Sequence, residues 1–187
     1  MNLKPLLFTA VLAAFPAFAD EGSRLDDARQ VANSLPPKLL QVLIEEIGKG
    51  GPENAISVCR ERAPLMAKAA SEKTGWAIRR VSLRARNAKA VPDAWEKAGL
   101  EEFDQRLAAG AAAAGIEKFE VVAEGGQSVF RYMKALPTQD VCLVCHGTPA
   151  RMTPAVTTKL RELYPDDKAT GYEADQIRGA ISLKRPL

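Results

Sequence analysis

Apolar residues recur at helical spacing through the first third of the chain. Leu39, Leu40, Leu43 and Ile47 share one face of a helix over 38–49, and a preceding helix is expected over 24–35, with Pro36-Pro37 separating the two. Gly50-Gly51 stops that run. Pro52 then opens a third helix at its first position, with Gly51 as the N-cap. Pro64 falls inside this third pattern, so a kink or a break into two helices is expected there. The period next changes to two. Over 76–83, Ile78 and Arg80 alternate against Arg79, Val81 and Leu83, which reads as a strand. A helix follows from Pro92-Asp93 to Gly110, with acids near its positive end. Strands over 117–123 and 128–135 are joined through Gly125-Gly126, a hairpin signal, and Phe130 and Tyr132 share one face of the second. A short helix is expected over 138–146 and another over 154–163 behind a Thr153 cap. A turn-rich loop over 164–172 leads to a last strand over 177–183. Four strands with helices before, between and after them indicate an α+β fold, an antiparallel sheet with helices on it.

The N-terminus adds a processing signal. Lys4, an apolar run over 6–15 and Ala17-Phe18-Ala19 ahead of Asp20 match a cleavable signal peptide, 1–19. The run is shorter than the roughly 18–20 residues that span a bilayer, and no later segment is apolar enough to do so. The expectation is a periplasmic protein with one domain over 20–187. A formal net charge of +3 gives no reason to expect a nucleic-acid partner.

Against that background Cys142-Leu143-Val144-Cys145-His146 becomes the most informative stretch. It reads CxxCH, the attachment signal of a c-type haem. Two thiols at i and i+3 lie on one side of a helical turn, where they can add to the two vinyl groups of one porphyrin. The adjoining imidazole then sits beneath the iron. Zinc would need further Cys or His ligands, and His146 is the chain's only histidine. A thioredoxin-like CxxC has no need of that His. One covalent haem c, on Cys142 and Cys145 with His146 as an iron ligand, is the expected cofactor.

Cys59 is left over. A spare thiol in an oxidising compartment is buried, paired or used, and a small buried hydrophobe is the plain alternative. At helical spacing Cys59, Ala63, Met66 and Ala70 form one stripe, where alanines beside a thiol would let a flat macrocycle approach. Either Cys59 or Met66 could present sulfur to the iron from this stripe. Arg79, Arg80, Arg84 and Arg86 are candidates for the haem propionates, since guanidinium suits carboxylate. A solvated edge is the alternative for them.

A larger set of short motifs carries a resemblance. Ala55-Ile56 through Cys59 to Ala63-Pro64 begins the set, followed by Gly75-Trp76, Ile78-Arg79-Arg80, Ser82-Leu83-Arg84, Arg86-Asn87 and Pro92-Asp93-Ala94-Trp95-Glu96. Phe130-Arg131-Tyr132-Met133, the CxxCH with Gly147, the run from Tyr164 to Tyr172 and Ile177-Arg178-Gly179-Ala180 complete it. In number and order they resemble the PAS-like c-type haem domains long catalogued as a domain of unknown function, found as secreted single domains and as sensory modules. The resemblance implies an antiparallel PAS-like sheet flanked by helices. It implies a haem c between a helix of the N-terminal half and the CxxCH segment, with His146 and Cys59 as axial ligands.

Such ligation has chemical consequences. An anionic thiolate favours ferric iron, so the potential should be low, and a thiol released on reduction would open a position for CO or NO. Redox or gas sensing is the expected role, with low-potential periplasmic electron transfer as the alternative. Either needs a redox or signalling partner, and dimerisation through the N-terminal helices is left open. No enzyme is expected, because no acid or base is identifiable beside the iron once His146 is a ligand.

Overall fold

The computed structural model describes residues 17–187. Residues 1–16, most of the expected signal peptide, lie outside that range. The chain order is α1 (Ala17–Ser57), a π-helical turn (Val58–Arg62), α2 (Ala63–Thr74), β1 (Ala77–Val81), α3 (Ala94–Ala108), β2 (Glu117–Glu124) and β3 (Gln127–Pro137). It continues through α4 (Asp140–His146), α5 (Pro154–Leu163) and β4 (Ile177–Pro186). The four strands form one antiparallel sheet in the order β1-β4-β3-β2, flanked by helices, so the α+β expectation holds. Among the described residues no helix is long and apolar enough to cross a membrane.

One expected boundary is wrong. The helix does not end at Pro36-Pro37, and α1 departs from helical dihedrals only at Gly50 and Gly51. Packing outweighs the two missing N–H groups there. Leu25, Ala28, Val31, Ala32 and Leu35 lie together on the sheet with Trp76, Phe130, Tyr132, Ile181 and Leu183. Polar ties fix the same helix. Trp76 Nε1 and Arg185 Nη1 donate to Asp27 Oδ2 at 2.9 and 3.0 Å. Arg29 Nε and Tyr132 Oη donate to the Glu117 carboxylate at 3.0 and 2.8 Å.

The opposite face carries α3. Asp93 and Glu96 make a reciprocal capping box at its start, and Leu100 and Phe103 pack with Val81, Ile116, Met133 and Ala180. Ile78 and Arg80 therefore share the α1 face, and Val81 the α3 face, as the alternation in β1 predicts.

The alternation fails at one place in β4. Ala135 pairs with Ala180 and Pro137 with Ile177, so β4 spends three residues where β3 spends two. This is a β-bulge. Ile177 and Ala180 both reach the α3-side core because of it, and Arg178 turns to the face that carries Arg80. Gly179 makes the bulge sterically feasible. Its φ is +149°, and a Cβ there would lie 2.2 Å from the Val81 carbonyl oxygen.

The Arg29 hydrogen bond holds the Glu117 carboxyl below its usual range against the opposing effect of burial, and the Tyr132 hydroxyl adds to the lowering. A carboxyl depressed in the fold stabilises above its unfolded pKa, about 4.3, and loses that contribution as pH falls through the folded value. Denaturant unfolding from pH 6 to 3 should therefore show a shallower acid loss in Glu117→Gln than in the parent. An equal slope in both would remove Glu117 from the acid response.

Candidate functional site

Pro64 shapes the first wall of the site. It has no N–H, and its ring would crowd the carbonyl of Arg60 in a regular helix. The chain answers with a wider turn, in which the Ala63 N–H donates to the Val58 carbonyl. The expected disruption at Pro64 thus takes the form of a π-helical turn just before it, a feature frequent at functional sites. Cys59 lies in this turn and is exposed, while Val58 beside it is buried. α2 has no buried residue, and Ala63, Met66 and Ala70 are only half-covered.

α4 supplies the second wall. Cys142 and Cys145 are half-buried free thiols. Cys145 packs beside Ile56, Val156 and Leu160, which brings α1 and α5 to the motif. Burial pushes its thiol up to about 11. Leu143 is buried with Ala169 and Tyr172. Gly147 closes α4, where a Cβ would sit 2.6 Å from the Leu143 carbonyl oxygen.

His146 is 8% exposed, and its Nδ1 lies 2.7 Å from the Ala169 carbonyl oxygen. A carbonyl only accepts, so Nδ1 carries the proton and Nε2 keeps its lone pair. The Tyr172 ring meets the imidazole edge-on, with centroids 6.4 Å apart. Burial, followed by the charges of Arg178, Arg86 and Arg80, holds His146 well below its ordinary pKa, so the ring is neutral.

A latch holds the 164–172 loop over this histidine. Arg86 Nε donates to Asp167 Oδ2 at 2.9 Å, and its Nη2 donates to the Cys145 carbonyl at 2.6 Å. Asp167 Oδ1 accepts from the Ala169 N–H at 2.8 Å. Arg84 donates to the carbonyls of Lys168 and Thr170 and stacks over Tyr172. Arg79 donates to the carbonyls of Lys89 and Val91. Three of the four arginines considered for propionates are thus already engaged by protein groups.

Arg80 is not, and it has a companion. The Nε atoms of Arg80 and Arg178, with Arg178 Nη1, are shielded from solvent and have no hydrogen-bond partner. Burial lowers both guanidinium pKa values; for Arg80 the next cause is the charge of Arg178. Cys59 and Cys142 act on both in the opposite direction, and Cys59 also acts on Cys145 and Tyr164. Cys59, the CxxCH and the two arginines therefore occupy one neighbourhood. In sequence Arg178 stands only within the Ile177-Arg178-Gly179-Ala180 motif, where a glycine inside a strand marks a bulge. Among the described residues no group of three or more His, Cys, Asp or Glu side chains could hold a metal ion unaided.

Residues 20–186 match the model of the Tll0287-like family. The chain belongs to that family. A solved structure described as that of the cyanobacterial heme-protein Tll0287 is 25% identical to it, with a TM-score of 0.62 over 92% of this chain and 97% of the other. No curated protein matches the chain in sequence. The Tll0287-like match thus spans every element that builds the site, from α1 to β4.

Arg86 and Asp167 are each about one-tenth exposed, so breaking their pair strands a charge. Arg86→Ala should cost about 3 kcal/mol of stability and speed tryptic cleavage at Lys168. Unchanged stability and proteolysis would show that the loop is held by other contacts.

Proposed function

We propose that this chain is an exported, mono-haem c-type domain, with thioethers at Cys142 and Cys145 and axial ligation by His146 and Cys59. The observation that carries the reading is the His146 hydrogen bond to Ala169, which fixes the tautomer whose free Nε2 suits a metal. The donor set fits the group: two unpaired thiols, one neutral imidazole, one exposed thiol on a distorted helical turn and two half-buried guanidinium groups with shielded, unpartnered N–H groups. The likeness to a protein described as a heme-protein supports the same cofactor. In this reading the sheet is PAS-like, residues 1–19 are the export leader, and 20–187 form one periplasmic domain.

Bound haem would supply a one-electron ferric/ferrous couple and, with a ligand released, a position for CO or NO. The residues determine how that chemistry is biased. Ala169 orients His146 and raises its basicity through Nδ1. A Cys59 thiolate favours the ferric state and so a low potential. The π-helical turn that carries Cys59 is a departure from regular helix of the kind frequent at functional sites, and on it we base the assignment to redox or gas sensing through release of Cys59. The exposure of Cys59 favours electron transfer as the second reading, because a ligand at this position would leave the group it holds close to solvent and a redox partner. No turnover is assigned, since the only histidine is committed to the iron.

The exported protein should keep its pigment through acid–acetone extraction, because thioethers survive it; pigment in the organic phase would refute covalent haem. Cys59→Ala should abolish the low-spin ferric thiolate EPR signal and open the iron to added ligands, whereas Met66→Ala should leave it. The reverse would move the ligand role to Met66. Ready CO binding after reduction supports sensing; failure to bind CO combined with rapid electron exchange would overturn it in favour of the carrier.

A further inference from the structure

We infer that Arg80 and Arg178 form a two-cation clamp for the haem propionates. The inference rests on the haem reading above and concerns how this chain holds that group. A guanidinium stays charged at any physiological pH, and on these two half-buried residues it is costly to leave N–H groups shielded from solvent without a partner. Two side by side add mutual repulsion, and no described residue offers either of them an anion. The fold nevertheless invests in the juxtaposition. The bulge at Gly179 turns Arg178 out of the α3 face and onto the face of Arg80, at a glycine that no other residue could replace without displacing Val81.

Arg131 shows how the fold answers the charge of an arginine with its own carboxylates, although the Arg131 Nε also lacks a partner. Arg131 lies on the α3 face with Asp93 at 2.6 Å, Glu124 at 2.9 Å and Glu96 at 3.6 Å. Arg80 and Arg178 have no such carboxylates. Their missing anions must come from outside the polypeptide, and two carboxylates in fork geometry match two guanidinium forks. The Cys59 thiolate does not suffice, being one charge, already spent on the iron, and unable to satisfy two forks. Arg79, Arg84 and Arg86, bonded to carbonyls and to Asp167, are not free to serve.

The test uses the haem-loaded protein and reads the propionates directly by resonance Raman spectroscopy. Arg80→Gln and Arg178→Gln should each shift the propionate bending band, and the double variant should shift it further. Arg79→Gln, which removes contacts to the Lys89 and Val91 carbonyls and no clamp, should leave the band in place. If a glutamine variant fails to fold, Arg80→Lys and Arg178→Lys keep the charge and should give a smaller shift of the same band. An unmoved band in the folded, haem-bearing double variant overturns the clamp. So does a change confined to the sulfur-to-iron charge-transfer absorption, which would assign the pair to the Cys59 thiolate. A parent protein that loses its pigment to acid–acetone fails the haem reading itself, whereas retained pigment with an unmoved band fails only the clamp.

Discussion

A single hydrogen bond from a ring nitrogen to a backbone carbonyl fixes the His146 imidazole and leaves its other nitrogen with a free lone pair. Without an acceptor at Ala169 the imidazole would be free to turn and to change tautomer, and its second nitrogen would have no fixed direction. That acceptor sits in a loop with little regular structure, so it must be held by side chains. Asp167 does this twice. One carboxylate oxygen takes the Ala169 N–H and the other takes Arg86, which in turn grips the Cys145 carbonyl. Histidine, loop and cysteine helix are thereby linked in a closed chain of polar contacts, in which each bond fixes the geometry of the next.

The sheet separates two different tasks. On the α3 face, the Arg131 guanidinium is paired with the Asp93 and Glu124 carboxylates and lies over the Trp95 ring. The end of the other face, where β1 and β4 meet the cysteine helix, carries unanswered cations, free thiols and a half-covered helix. A concentration of violations at one end of one face is the pattern expected of a site built for something the chain does not itself contain.

How much of this was legible in the sequence varies by residue and for physical reasons. The CxxCH was explicit because its spacing is local, and the four strands were read within a few residues because their alternation is local too. Pro36-Pro37 misled because the missing hydrogen bonds are local while the packing of Val31, Ala32 and Leu35 that overrides them is not. Arg178 was assigned to a regular strand, since nothing in the alternation marks a bulge except a glycine. The partner of His146 lies 23 residues away and is a main-chain oxygen, which no side-chain pattern could reveal. Arg79, Arg80, Arg84 and Arg86 look alike in sequence; only their surroundings distinguish the carbonyl-bound struts Arg79, Arg84 and Arg86 from the unpartnered Arg80.

The π-helical turn sets a phase relation between two anchored helices. Upstream, Ile56 is fixed against Val156 and Leu160 of α5. Downstream, Ser71 accepts from the Ile78 N–H and thereby ties α2 to the edge strand. Each attachment fixes an azimuth about the helix axis, and an uninterrupted α-helix would connect them only if the two happened to agree. The widened turn contains one residue more than an α-helical turn would, equivalent to about 100° of rotation per residue. It works as a vernier, reconciling two anchors that a regular helix would set against each other. Cys59 sits inside that correction. Its direction is therefore governed by the count of residues between two distant contacts, and deleting one of the residues 60–62 would re-aim it as thoroughly as replacing the cysteine.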